Sequence, residues 1–220
     1  MSRLRYGRQG PAKGQAERLV IFLHGYGADG KDLLSLHEHM SSVLQGTAFV
    51  SPDAPEPCRV NPGGFQWFPI PWIDGTSEAE AAMAAGRAFA ILNSWLDEIA
   101  REEGVAASDT AIVGFSQGTM MALHVAPRRP DPFAAIVGFS GRLLASPSSD
   151  DVQSRPPILL LHGESDEMVP FDSMAAAESA LTDAGFSVRT HATPNLGHGI
   201  SVDGIEIARA FLVEHLVGKA

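Results

Sequence analysis

Short apolar runs alternate with longer stretches of helical period along the chain. Leu19–Leu23, Thr47–Val50, Thr110–Phe115, Ala134–Phe139, Ile158–Leu161 and Ser187–His191 predict strands. Several are apolar throughout instead of alternating, as a parallel sheet buried on both faces requires. Leu4–Tyr6 predicts a further strand, paired as a hairpin through the Gly- and Pro-containing stretch 7–14. Helices fill the gaps. Ser77 with Glu80 makes a capping box, Phe89, Leu92, Leu96 and Ile99 follow in one stripe, and Gly104 stops the helix. Asp172 is placed to cap a helix that stops at Gly185. Asp203 with Glu206 is placed to open the last one, with Ile205, Ala208, Phe211 and Leu212 facing inward. This alternation predicts an α/β fold, a mostly parallel sheet of about 6–7 strands flanked by helices in three layers. Segment 52–75 breaks the rhythm with six prolines and the aromatics Phe65, Trp67, Phe68 and Trp72. A long loop in a compact domain is often functional.

Composition narrows the classes. For 220 residues, surface scaling leaves about 70% of the unfolded surface buried, so one domain over 1–220 can hold its own core. The 16 basic and 26 acidic side chains give a net charge of −10, which argues against a nucleic-acid or anionic-membrane surface. The single cysteine, Cys58, cannot form an intramolecular disulfide and reads as a small packed residue. No run approaches the roughly 20 apolar residues of a membrane span. Arg3, Arg5 and Arg8 are not followed by an apolar segment, so the expectation is no signal peptide and a cytoplasmic protein. A homodimer stays open.

Candidate chemistry starts at Gly114-Phe115-Ser116-Gln117-Gly118, of the form G-x-S-x-G. The pattern alone is weak. Here an apolar strand run ends at Phe115 and a helical pattern runs over Gln117–Ala126, the strand–turn–helix context that exposes a nucleophilic serine. Gly138-Phe139-Ser140-Gly141 also follows a strand, but Arg142 replaces the second spaced glycine, so Ser140 reads as structural.

A serine nucleophile needs a general base, and the base needs an acid to orient it. Among the histidines after the fifth long apolar run, His191 ends a strand, His215 lies in the last helix, and His198 lies between two glycines in the loop after the last strand. His198 is the expected base. The acid should come from the loop after Ile158–Leu161, where Asp166 is favoured and spacing leaves Glu164 and Glu167 open. The oxyanion hole needs two backbone N–H groups, one expected from Gln117 and one from the glycine-rich loop after Leu19–Leu23, at Tyr26. His24 beside it reads as a loop-shaping histidine.

On these motifs, with Leu23-His24-Gly25-Tyr26-Gly27-Ala28-Asp29, Gly163-Glu164-Ser165-Asp166-Glu167-Met168-Val169-Pro170 and Gly197-His198-Gly199, the chain resembles the phospholipase/carboxylesterase family of α/β-hydrolases from about residue 4 to the C-terminus. The resemblance implies the α/β-hydrolase fold and cofactor-free hydrolysis of a small-molecule carboxylic ester, short- to medium-chain in its acyl part, through an acyl-serine. It implies Ser116 as nucleophile, Asp166 as acid, His198 as base, Tyr26 and Gln117 as oxyanion donors, and Gln66-Trp67-Phe68 near the substrate. Thioesterase members often carry Leu at the position of Tyr26 and Asp at that of Pro69, so the chain resembles the bacterial esterase branch more. An acyl-protein thioesterase or lysophospholipase with the same triad is the alternative, and a non-catalytic ligand-binding relative the different-class one.

Other chemistry is thin. No G-x-G-x-x-G or Walker pattern precedes a helix, and one cysteine excludes paired-cysteine metal sites. His37 and His39 are two apart on a predicted helix and do not share a face, so no metal is assigned. His124 in the apolar helix reads as a core histidine. The aromatics of 65–72 either wall a pocket or tuck into their own proline-stiffened loop. In the first case, Trp67→Ala should penalise longer acyl chains more than acetate.

Overall fold

The apolar runs form strands close to the predicted positions. A computed structural model describes residues 4–148 and 150–218; Arg3 of the N-terminal basic stretch lies outside them. In chain order the elements are β1 (Tyr6–Gln9), β2 (Arg18–Leu23), α1 (Gly30–Leu34), β3 (Thr47–Pro52), β4 (Glu56–Pro57), β5 (Phe65–Gln66), α2 (Pro71–Asp74), α3 (Glu78–Glu103), β6 (Thr110–Phe115), α4 (Gln117–Val125), β7 (Ala135–Phe139), β8 (Ile158–Gly163), α5 (Asp172–Asp183), β9 (Val188–Thr193) and α6 (Val202–Leu216). Seven strands form one sheet in the order β1-β3-β2-β6-β7-β8-β9, parallel except for β1.

The strand period of two divides the core between the two faces of the sheet. Ile21, Leu23, Ile112, Ile136 and Leu160 pack with α3, α4 and α5. Val20, Phe22, Val113, Val137 and Leu161 pack with α1 and α6. Both faces are covered, which is why these strands read as apolar throughout. Register brings Leu23 opposite Gly114 and Phe115 opposite Phe139, so the chain leaves β2, β6 and β7 along one edge. Among the described residues no helix is long and apolar enough to cross a membrane.

Local expectations meet mixed outcomes. Ser77 caps α3 by accepting from Glu80 N–H, and Gly104 ends it with φ of 71°. The first strand lies over 6–9 and pairs antiparallel with β3, not as a hairpin with β2. β3 inserts between them, and Gly10, with φ of 103°, turns so close to β3 that a Cβ there would sit 2.4 Å from Thr47 O. The last helix is capped by Ser201, which accepts from Gly204 N–H, while Asp203 lies inside the first turn and meets His191 at 2.9 Å. Asp172 is the first residue inside α5 and not its cap, since Phe171 is already helical. Segment 52–75 is not bare loop. It holds the β4–β5 hairpin and the one-turn α2, and Phe65 bridges to Ala28 in the loop after β2.

Candidate active site

The three triad candidates converge at the edge where the chain leaves the parallel strands. Ser116 sits between β6 and α4 with φ of 52° and ψ of −114°. A side chain in this region costs of order 1–3 kcal/mol and persists only where its surroundings impose it. The imposing contacts are backbone ones. A Cβ on Gly118 would lie 1.8 Å from Leu23 O, and one on Gly114 would lie 2.5 Å from Thr119 N. Both spaced glycines of the motif are therefore steric requirements, because α4 starts against β2 and folds back on β6. Ser116 N–H donates to Phe139 O at 2.8 Å, which ties the turn to β7. The N-terminus of α4 adds partial positive charge at this point.

Asp166 and His198 meet. His198 Nδ1 donates to Asp166 Oδ2 at 2.8 Å. The other carboxylate oxygen takes the backbone N–H groups of Met168 and Val169, both at 2.9 Å. Burial opposes the charge on Asp166, but the hydrogen bond from His198 and those from the two amides outweigh it, so its carboxyl titrates below the ordinary range. Glu164 and Glu167, which spacing leaves open, are exposed. The imidazole of His198 lies against Phe115, ring centroids 5.0 Å apart, next to the elbow. Ser116 Oγ and His198 form no hydrogen bond with each other here; such bonds are often loose before substrate arrives. Ser140, with φ of 47°, donates from Oγ to Gly199 O at 3.2 Å and so ties the His198 loop to the end of β7.

One partner of Asp166 escapes the sequence reading. Buried His162 directs Nε2 at Asp166 Oδ2, 3.1 Å away, and at Val169 O, 2.9 Å away. One N–H shared in this way fastens the acid loop to β8. The signal was present as a histidine four residues before the acid, but only the loop's closure reveals it.

The loop after β2 lies over Ser116, since a Cβ on Gly25 would come within 3.3 Å of the Ser116 Cβ. Gly27 N–H donates to Phe65 O at 2.8 Å and Ala28 N–H to Gly25 O at 3.3 Å, which fixes the loop around Tyr26. The Tyr26 hydroxyl donates to Asp74 Oδ2 at 3.1 Å. Burial, followed by a hydrogen bond with Cys58 and the charge of Asp74, raises its pKa well above the usual phenol range. His24 is buried as expected. It accepts from Ala54 N–H at Nε2 (2.9 Å), so Nδ1 donates to Gly25 O (2.8 Å), and desolvation lowers its pKa. Gln117 is the first residue of α4, where backbone N–H groups lack helical partners. Its side chain, which sequence reasoning left without a role, clamps the aromatic loop: Oε1 accepts from Trp67 N–H and Nε2 donates to Phe68 O, both at 2.8 Å.

A sequence profile of the phospholipase/carboxylesterase family matches residues 10–216. The chain belongs to that family. Among solved structures, esterase PE8 superposes with a TM-score of 0.91 at 38% identity, over 98% of this chain and 100% of that one. Esterase YpfH of Escherichia coli (strain K12) is 28% identical over 211 residues, 94% of this chain and 85% of that protein. Acyl-protein thioesterase 1 of Neurospora crassa is 29% identical over 228 residues, 94% and 90%. The chain is thus a carboxylic ester hydrolase of the α/β-hydrolase fold.

An apolar cavity of about 370 Å³ reaches Met120, one helical turn after Ser116, without Ser116 or His198 in its lining. Phe68, Ile70 and Trp72 line it from the aromatic loop, Ala81 and Ala85 from α3, and Met120 from α4. The small side chains of α3 leave the space. Trp67 does not line this cavity. It is fully buried, its ring is 5.9 Å from that of His24, and its Nε1–H donates to His24 O at 3.0 Å. Of the two readings left open for the aromatics of 65–72, the burial of Trp67 favours scaffold, while Phe68 lines the cavity. Trp67→Ala is expected to destabilise the fold by about 3–5 kcal/mol in urea unfolding, and any rate loss should be equal for acetate and hexanoate esters.

The remaining candidates fall elsewhere. His124 is half-buried and lines the cavity, stacked on Phe89 with centroids 3.7 Å apart; it is not enclosed in the core. Desolvation and then Arg128 lower its pKa to about 4. His191 pairs with Asp203 on the outside, and His215 packs edge-on against Phe211 at 4.4 Å. Cys58 is buried. Among the described residues no three His, Cys, Asp or Glu side chains gather as metal ligands would.

Proposed function

We propose that this chain hydrolyses short- to medium-chain carboxylic esters through a covalent acyl-serine, with Ser116 as nucleophile, His198 as general base and Asp166 as its orienting acid. The observation that carries the reading is the 2.8 Å contact between His198 Nδ1 and an ionised, buried Asp166, set beside a serine held at positive φ. Ser116 Oγ attacks the ester carbonyl as His198 Nε2 takes its proton. The backbone N–H groups of Tyr26 and Gln117 hold the oxyanion, and the helix terminus adds to their field. His198 then gives the proton to the leaving alkoxide, and the alcohol departs. Water, activated by the same imidazole, attacks the acyl-serine and releases the acid. A cavity of about 370 Å³ is at the small end of the roughly 300–1,000 Å³ range of ligand pockets, which favours short acyl groups over long lipid chains. Thioesters could follow the same steps, and the thioesterase relative makes them the second reading. One domain over 1–220, a small-molecule ester and a cytoplasmic setting belong to the same proposal.

The pH profile tests the base. Asp166 stays charged to below the ordinary carboxylate range, and His124 takes a proton only near about 4. An acid-side fall in kcat/KM is therefore not assigned to either group; it is expected if a neutral imidazole must act as the base. The expected profile falls in one acid step and is unchanged by a chelator; a rate flat down to about pH 4 would exclude His198 as base. Stability follows a different window. The depressed Asp166 stabilises the fold above the ordinary carboxylate range, and that contribution is lost as pH falls through its lowered value.

A further inference from the structure

The cavity beside Ser116 is apolar except at its rim, where Arg142 and Glu78 are the charged lining residues. Glu78 is exposed, whereas Arg142 is half-buried. The guanidinium of Arg142 lies over the indole of Trp72, 5.3 Å from its centroid. Stacking uses the face of a guanidinium and leaves its edge N–H groups to donate in plane. Among the described residues no carboxylate lies within ion-pair distance of Arg142 and no acceptor takes its N–H groups. By contrast, Arg8 forks onto Glu103 with two bonds of 2.8 Å, and Arg189 onto Glu214 with two of 2.7 Å.

The backbone that carries Arg142 packs on the serine turn. The preceding residue, Gly141, packs so tightly that a Cβ there would come within 3.1 Å of Ser116 O. The indole that steadies the guanidinium is itself 62% exposed, so this pair stands at the mouth and not in the core. His124, the other basic side chain in the lining, is neutral at physiological pH. The arrangement is an apolar trough near Ser116 that ends in one steadied cation with free donors, in a chain whose net charge is −10.

We propose that Arg142 is a specificity residue that takes the carboxylate of an ester bearing that group a few carbons from the scissile bond, with the intervening chain in the apolar trough. The substrate class is then the half-esters of dicarboxylic acids, or esters of hydroxy acids. The two share the planar carboxylate that a guanidinium fork matches. This inference rests on the carboxylesterase reading above.

Two substrate pairs test it on the intact protein by pH-stat titration. Monomethyl adipate against methyl hexanoate places the carboxylate on the acyl side. The acetate ester of γ-hydroxybutyrate against pentyl acetate places it on the alcohol side. In at least one pair, Arg142→Gln is expected to lower the ratio of kcat/KM for the anionic over the neutral ester by about 10- to 100-fold, the range of a charge-assisted hydrogen bond. Arg142→Lys should restore part of it, and the pair that responds assigns the side. Ratios unchanged in both pairs, with the neutral esters still cleaved in a Ser116-dependent way, would overturn this proposal and leave the esterase reading intact. If the wild type cleaves none of the four, both readings fail together.

Discussion

Ser116→Ala is expected to lower kcat by about 10⁴-fold or more without loss of the fold. The alanine keeps a Cβ at the positive-φ position, so the backbone strain of the elbow is the same in both proteins. The flanking contacts of Gly114 and Gly118 with Thr119 and Leu23 are untouched. A circular-dichroism melt close to that of the wild type would show that the loss is chemical. A variant that keeps more than about a tenth of the activity would mean that another group attacks the ester.

Asp166→Asn is expected to cost about 10⁴-fold in kcat. In the native loop one oxygen of Asp166 accepts two amide N–H groups while the other accepts His198 and faces His162. An asparagine has one acceptor oxygen and one donor NH₂. Whichever way it turns, its NH₂ faces either the two amides or the histidines. If the oxygen keeps the amides, the NH₂ favours the wrong tautomer of His198 and the base is misplaced. If it turns over, the acid loop loses its bracing, and the variant should also unfold at a lower urea concentration. Glu164→Gln is the control, since Glu164 is exposed. If Glu164→Gln abolishes turnover and Asp166→Asn does not, the acid has been misassigned.

The parts legible in the sequence are those fixed by neighbours along the chain. A run such as Thr110–Phe115 reads as a doubly buried strand, and with it the serine between Gly114 and Gly118 reads as a strand–helix turn. The cap of α3 at Ser77 follows from local spacing for the same reason. What required the fold was set by distant partners. Asp166 differs from Glu164 in being buried, and burial depends on how the loop closes over β8. The edge strand chose β3 over β2 through contacts around Gly10 and Thr47, nearly forty residues apart. The sequence leaves Trp67 open between pocket wall and tucked-in ring. Its carbonyl partner on His24 and the clamp from Gln117 pull it inside, and neither is visible in the loop's own composition. At the last helix the cap is Ser201, two residues before the expected Asp203, which lies inside the first turn and bonds His191.

The central claim is that Ser116 is the nucleophile, and labelling with a fluorophosphonate tests it most directly. This reagent phosphonylates an activated serine hydroxyl far faster than an ordinary one. Near-stoichiometric adduct is expected on the peptide containing Ser116, blocked by Ser116→Ala and slowed in step with the loss of activity in Asp166→Asn. An active protein that takes up no label, or takes it on a serine other than Ser116, would contradict it.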